Sequence, residues 1–129
     1  MEVILGLDQG TSSSRAVLVR PDGTLSHTAQ RELPQIYPQP GWVEQDPETI
    51  WSSQAAAVRT VLSEAGLDPA GIHCIGITNQ RETTIVWERA TGRPIANAIV
   101  WQDRRTAEFC HELAVKSADG IEIETTIRE

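Results

Sequence analysis

The fold of this chain is decided near its start, where residues 3–19 read VILGLDQGTSSSRAVLV. Two apolar runs, residues 3–7 and 15–19, flank a small polar segment from Asp8 to Ser14. Such a pattern predicts a strand, a loop and a second strand. The turn residues Pro21-Asp22-Gly23 and the alternating stretch 25–33 predict a third strand. We therefore expect an antiparallel meander of three strands.

The next two segments predict a loop and a helix. Four prolines and Gly41 between residues 34 and 47 disfavour regular structure, yet the segment is apolar enough to pack on the body as an ordered loop. A helix should begin at Asp46-Pro47-Glu48, which places a cap, a proline and an acidic residue in its first turn. Gly66 should end it. Its expected apolar face comprises Trp51, Ala55, Val58, Leu62 and Ala65, with Ile50 and Val61 beside it.

The second half of the chain predicts further strands and one more helix. Residues 72–77 are apolar at both odd and even positions, which is typical of a central strand covered on two faces. Residues 83–87 and 98–101 are also expected to be strands, and a last helix is expected from residue 104 to about 115. This order of elements indicates an α/β domain with a mixed sheet and flanking helices.

Composition and charge exclude several function classes. The 129 residues carry 11 basic and 18 acidic side chains, a net charge of −7, which disfavours binding to nucleic acid or to anionic membranes. No apolar run approaches the length of a spanning helix, so we expect a cytoplasmic protein. Cys74 and Cys110 lack metal-like spacing, so reduced, partly buried thiols are expected.

The polar loop between the first two strands has the chemistry of a phosphate cradle. Gly10 lets backbone N–H groups approach a ligand, Thr11, Ser12 and Ser13 add hydroxyl donors, and Arg15 adds a cation. Asp8 would repel a polyphosphate unless a divalent cation such as Mg²⁺ lay between them. The alternative is a plain hairpin turn, since turns use the same residue types. We expect a loop longer than a tight hairpin requires, which favours the phosphate interpretation.

Polar residues also follow the two later strands. Arg81 offers several donors and Glu82 offers acceptors, a pairing suited to a small polyol, although a surface turn with an ion pair remains open. Trp101 ends the next strand, where its face could pack on a carbon backbone or simply fill the core. Hydrolase motifs are missing from the sequence.

Together these motifs resemble the N-terminal part of the FGGY carbohydrate kinases, in particular of members that phosphorylate glycerol. The resemblance covers residues 3–116. The hairpin motif at residues 7–15 is shared by many actin-like ATPases, whereas Asn79-Gln80-Arg81-Glu82-Thr83-Thr84 and Trp101-Gln102-Asp103-Arg104-Arg105-Thr106 are far more specific. The resemblance implies an actin-like ATPase, ribonuclease H-like fold, present here as an incomplete N-terminal domain.

The resemblance also implies roles for individual residues. Thr11, Ser12, Ser13 and Arg15 match the contacts to the nucleotide phosphates, and Asp8 matches the position that faces Mg²⁺. The glycerol contacts match Arg81, Glu82 and Trp101. ATP and Mg²⁺ are the implied nucleotide and metal, and position 12 is serine where the family often has threonine.

The main departure from the family is length. Residues 1–129 match the N-terminal part of the kinase N-terminal domain, while the catalytic base and the adenine-binding domain are expected beyond Glu129. We therefore expect a fragment of a cytoplasmic, homo-oligomeric enzyme, dimer or tetramer, that phosphorylates glycerol to sn-glycerol 3-phosphate. A non-catalytic remnant, or a kinase for another polyol or sugar, remains the alternative.

Overall fold

The computed structural model describes residues 3–118 and contains six strands and two α-helices in that range. The elements are β1 Val3–Gln9, β2 Ser13–Val19, β3 Leu25–Glu32, β4 Glu44–Gln45, α1 Pro47–Ala65, β5 Ile72–Asn79, β6 Ala98–Ile99 and α2 Ala107–Ala118. No helix in the described range is long and apolar enough to cross a membrane.

The predicted meander is confirmed and forms most of a mixed sheet in the order β3-β2-β1-β5. β1 and β2 are antiparallel with Leu7 opposite Ala16, and β2 and β3 are antiparallel with Ala16 opposite Ala29. β5 pairs with the other edge of β1 in parallel, with Leu7 opposite Ile77. The carboxyl ends of β1 and β5 therefore lie side by side, directly before the two polar segments singled out in the sequence.

The core lies between the meander and α1. Alternate residues of β2 are buried, because successive side chains of a strand point to opposite faces. The fully or nearly fully buried residues of this cluster are Val3, Leu5, Ala16, Leu18, Ala29, Ala57 and Val61. Burying a Leu or Val side chain contributes roughly 1.5–3 kcal/mol. This cluster is what anchors the hairpin between β1 and β2.

Helix α1 begins and ends as the sequence predicts. The Asp46 carboxylate accepts the Glu48 N–H at 3.1 Å and the Thr49 hydroxyl at 2.8 Å, and Gly66 ends the helix with a φ of +57°. The predicted face is partly wrong, since Trp51 is 71% exposed and Ala57, which lies outside that face, is buried; Val61 is buried, in line with its predicted place beside the face. The small side chain of Ala57 allows the helix to approach the sheet, whereas Trp51 lies in the first turns and lines a surface cleft.

Strand β5 forms as predicted, but the expectation that it is covered on both faces is wrong for the described residues. Ile75 is 56% and Ile77 is 74% exposed. The reason is topological: β5 is an edge strand here, and α1 packs on β1, β2 and β3. The expected burial of the two thiols is wrong as well, since Cys74 and Cys110 are free and exposed.

The prediction of a strand at residues 83–87 is wrong, and the strand predicted at residues 98–101 is shorter in the structure. The first segment makes isolated bridges only, Thr84 to Ile99 and Trp87 to Pro94, because proline cannot donate to a ladder. The second is the two-residue β6, which pairs with β4. Helix α2 starts at Ala107 rather than Arg104, since the Asp103 carboxylate accepts the Arg105 N–H at 2.8 Å in a turn.

Candidate functional site

The polar segment between β1 and β2 is a tight hairpin, so the expectation of a longer loop is wrong. Gln9 pairs with Ser14, and the Gly10 N–H donates to the Ser13 carbonyl at 2.9 Å, which leaves Thr11 and Ser12 at the tip. A Cβ at Gly10 would lie 3.1 Å from the Ser13 carbonyl oxygen. Such a contact is tighter than most Cβ contacts, so glycine favours this close approach of two backbones.

The hydroxyls of the hairpin divide into a structural and an available set. The Ser14 side chain is buried, donates to Gln9 Oε1 at 3.0 Å and lies 2.6 Å from the Ser53 hydroxyl, so it holds the hairpin against α1. Ser12 is exposed, and the hydroxyls of Ser12 and Ser13 have no hydrogen-bond partner among residues 3–118. Both are free to donate to a ligand.

Asp8 and Arg15 lie opposite each other on β1 and β2. Their closest charged atoms are 3.9 Å apart, and the side chains are 46% and 43% exposed. The Arg15 guanidinium also donates to Gln30 Oε1 at 3.2 Å. An ion pair this exposed contributes little to stability. Both charges can therefore exchange their present partners for a ligand.

A cleft of about 300 Å³ is lined by Arg81, Glu82 and Trp101, the three residues that the sequence predicts for a polyol. Arg81 and Glu82 are exposed, and within the described range neither side chain has a hydrogen-bond or ion-pair partner. The two residues form an exposed turn, as the alternative expects, but the ion pair that it includes is not formed. Glu82 has a φ of +66°, a strained conformation for a residue with a side chain, which is typical of functional sites.

Trp101 joins this cleft to the hairpin. Its ring is 51% exposed, so the alternative of core packing does not hold. The indole N–H donates to the Thr11 hydroxyl at 2.9 Å across 90 residues of sequence. Because the Trp N–H can only donate, the Thr11 oxygen accepts this bond and keeps its own proton available for another acceptor.

Gln45, which the sequence analysis did not select, lies between the same two segments. It is 1% exposed, donates to the Thr11 carbonyl at 2.6 Å and accepts from Gln80 Nε2 at 2.7 Å. The Leu33 N–H adds a bond to the Ser12 carbonyl at 2.9 Å. The hairpin tip is thus tied to three distant segments, and no spacing in the sequence signals these contacts.

An ionic cluster fixes the loop before α1 to the segment after β6. The Arg105 guanidinium bridges Glu44 at 2.7 Å and Asp103 at 2.8 Å, and it lies 3.8 Å from the Trp42 ring centroid. Asp103 also accepts the Val43 N–H at 2.7 Å. Hydrogen bonds from Arg105 hold the pKa of both carboxyl groups, Asp103 above all, below their ordinary values. The cluster thus stabilises the wall that carries Trp101.

The described residues offer little for a protein-held metal centre. Residues 3–118 contain no group of three or more His, Cys, Asp or Glu side chains that could hold an ion. Mg²⁺ commonly binds through one carboxylate, waters and substrate phosphate oxygens, and a single accessible carboxylate such as Asp8 beside a phosphate site fits that mode.

Comparison with known proteins gives a consistent result. The family model described as the N-terminal domain of the FGGY family of carbohydrate kinases matches residues 3–126. A glycerol kinase of Ralstonia nicotianae is 59% identical over 128 residues, which are 99% of this chain and 25% of that protein. A glycerol kinase of Chromobacterium violaceum is 58% identical over 115 residues, 89% of this chain and 23% of that protein. The chain thus spans about a quarter of the length of these curated relatives.

Solved structures agree with the sequence matches. The crystal structure of Plasmodium falciparum glycerol kinase with ADP superimposes with a TM-score of 0.81 at 36% identity, over 90% of this chain and 23% of that one. A xylulose kinase from Rhodospirillum rubrum gives a TM-score of 0.77 at 27% identity, over 88% of this chain and 23% of that one. The fold of this chain is therefore one that is found in several carbohydrate kinases.

Proposed function

The chain belongs to the FGGY family of carbohydrate kinases, with the actin-like ATPase fold, and we propose that it provides the phosphate hairpin and the polyol pocket of an enzyme that phosphorylates glycerol. The observation that carries this proposal is the junction of the two segments, where Trp101 lines the cleft and donates to Thr11 at the hairpin tip. A phosphate donor and an alcohol acceptor need such adjacent sites for direct transfer.

The polyol pocket is matched to a small neutral substrate with several hydroxyls. The Arg81 guanidinium donates hydrogen bonds, the Glu82 carboxylate accepts them, and the Trp101 face packs on the carbon backbone. The free charges of Arg81 and Glu82 in a cleft of about 300 Å³ support this assignment. Curated relatives that are 57–61% identical to this chain are named glycerol kinases, which supports glycerol over larger sugars.

The hairpin is proposed to bind the phosphates of ATP. Thr11, Ser12 and Ser13 donate hydroxyl and backbone hydrogen bonds, and Arg15 contributes charge neutralisation. The unpartnered hydroxyls of Ser12 and Ser13 and the exposed guanidinium of Arg15 support these roles. The solved relative that contains ADP supports a nucleotide of this class.

Asp8 is proposed to face Mg²⁺ next to these phosphates. Bound there, the ion would neutralise the charge of the phosphate oxygens during transfer. The accessible carboxylate of Asp8, weakly paired with Arg15 at 3.9 Å, supports this role.

The reaction is an in-line displacement. A glycerol oxygen forms a bond to the γ-phosphorus, the bond between that phosphorus and the bridging β,γ-oxygen breaks, and ADP leaves. The hydroxyl proton passes to a general base. We place that base and the adenine-binding domain in the three quarters of the relatives' length that this chain does not cover, so residues 1–129 supply positioning and charge stabilisation.

A chimera tests the proposed function. This chain would replace the matching N-terminal quarter of the Ralstonia nicotianae glycerol kinase, and ADP release would be measured with glycerol or D-xylulose as acceptor. We expect glycerol-dependent turnover within about tenfold of the intact relative, and little turnover of xylulose. The remaining three quarters of the relative, expressed alone, is the control. A folded chimera that transfers phosphate to xylulose or to neither acceptor would contradict the proposal.

A further inference from the structure

Gln45 has a buried side chain, and both the nitrogen and the oxygen of its amide form hydrogen bonds within the protein. Its Nε2 donates to the Thr11 carbonyl at 2.6 Å, and its Oε1 accepts from Gln80 Nε2 at 2.7 Å. Gln80 extends this series of hydrogen bonds, since its Oε1 accepts from the Thr83 hydroxyl at 3.0 Å. With 1% of its surface exposed, Gln45 has no access to solvent and does not line the cleft.

The chemistry of these groups fixes which atom donates and which accepts in every hydrogen bond of this series. The Thr11 carbonyl can only accept, so the amide nitrogen of Gln45 faces it and the amide oxygen faces Gln80. If the Gln45 amide were flipped, two acceptors would face each other at Thr11 and two donors would face each other at Gln80. The short distances and the burial make this connection stiff compared with a solvent-exposed one.

This series of hydrogen bonds joins the two proposed subsites. Thr11 is at the tip of the phosphate hairpin, and Gln80 directly precedes Arg81 and Glu82. We infer that Gln45 is a positioning residue that sets the distance and orientation between the phosphate hairpin and the polyol pocket. This inference rests on the proposed function, because it assigns phosphate and polyol to those two segments.

A residue that only positions the two subsites has a distinct kinetic effect. Each subsite keeps its own contact residues when Gln45 changes, so the KM values for ATP and for the polyol should change little. Transfer needs the acceptor oxygen and the phosphorus within a narrow geometry, and a displacement of about 1 Å can cost about 100-fold in rate. The effect should therefore fall on kcat.

The first experiment compares Gln45→Met with Gln54→Met in the chimera. Methionine keeps the volume and removes the hydrogen bonds. Gln54 is the matched control, since its Nε2 also donates to a hairpin-strand carbonyl, that of Arg15 at 3.0 Å, while it makes no hydrogen bond with the described residues 80–83. We expect Gln45→Met to lower kcat by about 10- to 100-fold with both KM values within about threefold, and Gln54→Met to leave kcat within about threefold.

The second experiment uses Gln45→Glu, which keeps the shape. The carboxylate repels the Thr11 carbonyl, but its protonated form restores a donor. Burial raises the pKa of such a carboxyl group, so protonation falls within an accessible range. We expect the ratio of variant to parent kcat to rise as the pH is lowered from 8 to about 5.5. Normalisation to the parent at each pH cancels the titration of other groups.

A third measurement does not depend on activity. In hydrogen exchange of the folded chimera, Gln45→Met should speed exchange in residues 10–13 and in residues 80–84, and Gln54→Met should not affect the second segment. If the parent chimera transfers no phosphate to glycerol, the proposed function fails and exchange still decides the coupling. Equal losses of kcat in both Met variants, or no change at residues 80–84, would overturn the inference.

Discussion

Two regions of this molecule differ in how they are held. The meander and α1 enclose the buried cluster from Val3 to Val61, in which alternate strand residues face the helix. Among residues 72–115, whose burial the structure describes, the fully buried apolar side chains are Ala98 and Val100, while Ile75, Ile77, Trp87 and Phe109 are exposed. The first region is a core, and the second is a set of segments attached to it by hydrogen bonds and one ionic cluster.

This difference separates stability from chemistry. The proposed phosphate hairpin grows directly out of the core strands, so its geometry depends on packing that extends over the whole meander. The proposed polyol pocket depends instead on a few polar ties, chiefly those of Gln45, Trp101 and Arg105. Changes in the core should therefore affect folding first, and changes in the second region should affect substrate binding first.

The largest expected effect is the loss of activity when this chain is tested alone and not as part of the chimera. The purified 129-residue chain should phosphorylate glycerol no faster than background, at least about 10⁴-fold below the chimera, because it carries neither the proposed base nor the adenine site. A coupled assay in a preparation free of host kinase measures this. Turnover by the chain alone would show that one of these groups lies within residues 1–129.

The contrast in packing predicts a contrast in stability. Leu18 is 1% exposed and Ile77 is 74% exposed. Leu18→Ala should lower the free energy of unfolding by about 2–5 kcal/mol, while Ile77→Ala should change it by no more than about 0.5 kcal/mol. Urea titration of the purified chain measures both. Similar losses for the two changes would mean that β5 is packed as tightly as the meander.

Asp8→Asn tests the metal-facing role in the first region. Asparagine keeps the shape but loses the charge, so kcat of the chimera should fall by about 100-fold or more while the glycerol KM changes little. The measurement is kcat against Mg²⁺ concentration, with circular dichroism as the control for folding. Activity within about threefold of the parent would leave Asp8 with a structural role only.

The ionic cluster predicts a smaller, pH-dependent effect. The pKa of Asp103 is held below its ordinary value by hydrogen bonds from Arg105, so its stabilising contribution is complete above the unfolded pKa, about 3.9, and is lost as the pH falls through the lower folded value. Asp103→Asn should therefore lower the Tm by several degrees at pH 7, and the difference should shrink below about pH 4. A difference independent of pH would exclude the ionic origin.

Much of the fold follows from local sequence signals. The meander and α1 are predicted because turn residues, alternation and helix caps act over a few positions, as at Asp46 and Gly66. The pairing of β4 with β6 and the irregular segment around Trp87 are not, since they depend on contacts about 50 residues apart and on Pro94 at a bridge. The exposure of β5 cannot be read from its composition, because apolar residues alone do not say what covers them.

The candidate site shows the same division. Residue types single out Asp8, Thr11, Arg81 and Glu82, because their charges and hydroxyls have recognisable chemistry. Gln45 has no such signal: an uncharged amide next to Asp46-Pro47 is indistinguishable from a solvated loop residue until its partners at positions 11 and 80 are known. Its burial is a property of the tertiary structure alone.

The most direct test of the central claim, that phosphate and polyol occupy separate segments of this chain, is the kinetics of Arg81→Ala in the chimera. The loss of this donor should raise the glycerol KM by at least about tenfold and leave the ATP KM within about twofold, because buried partners of a polyol hydroxyl are left unpaired. A rise in the ATP KM with an unchanged glycerol KM would place Arg81 in the phosphate site and contradict the account.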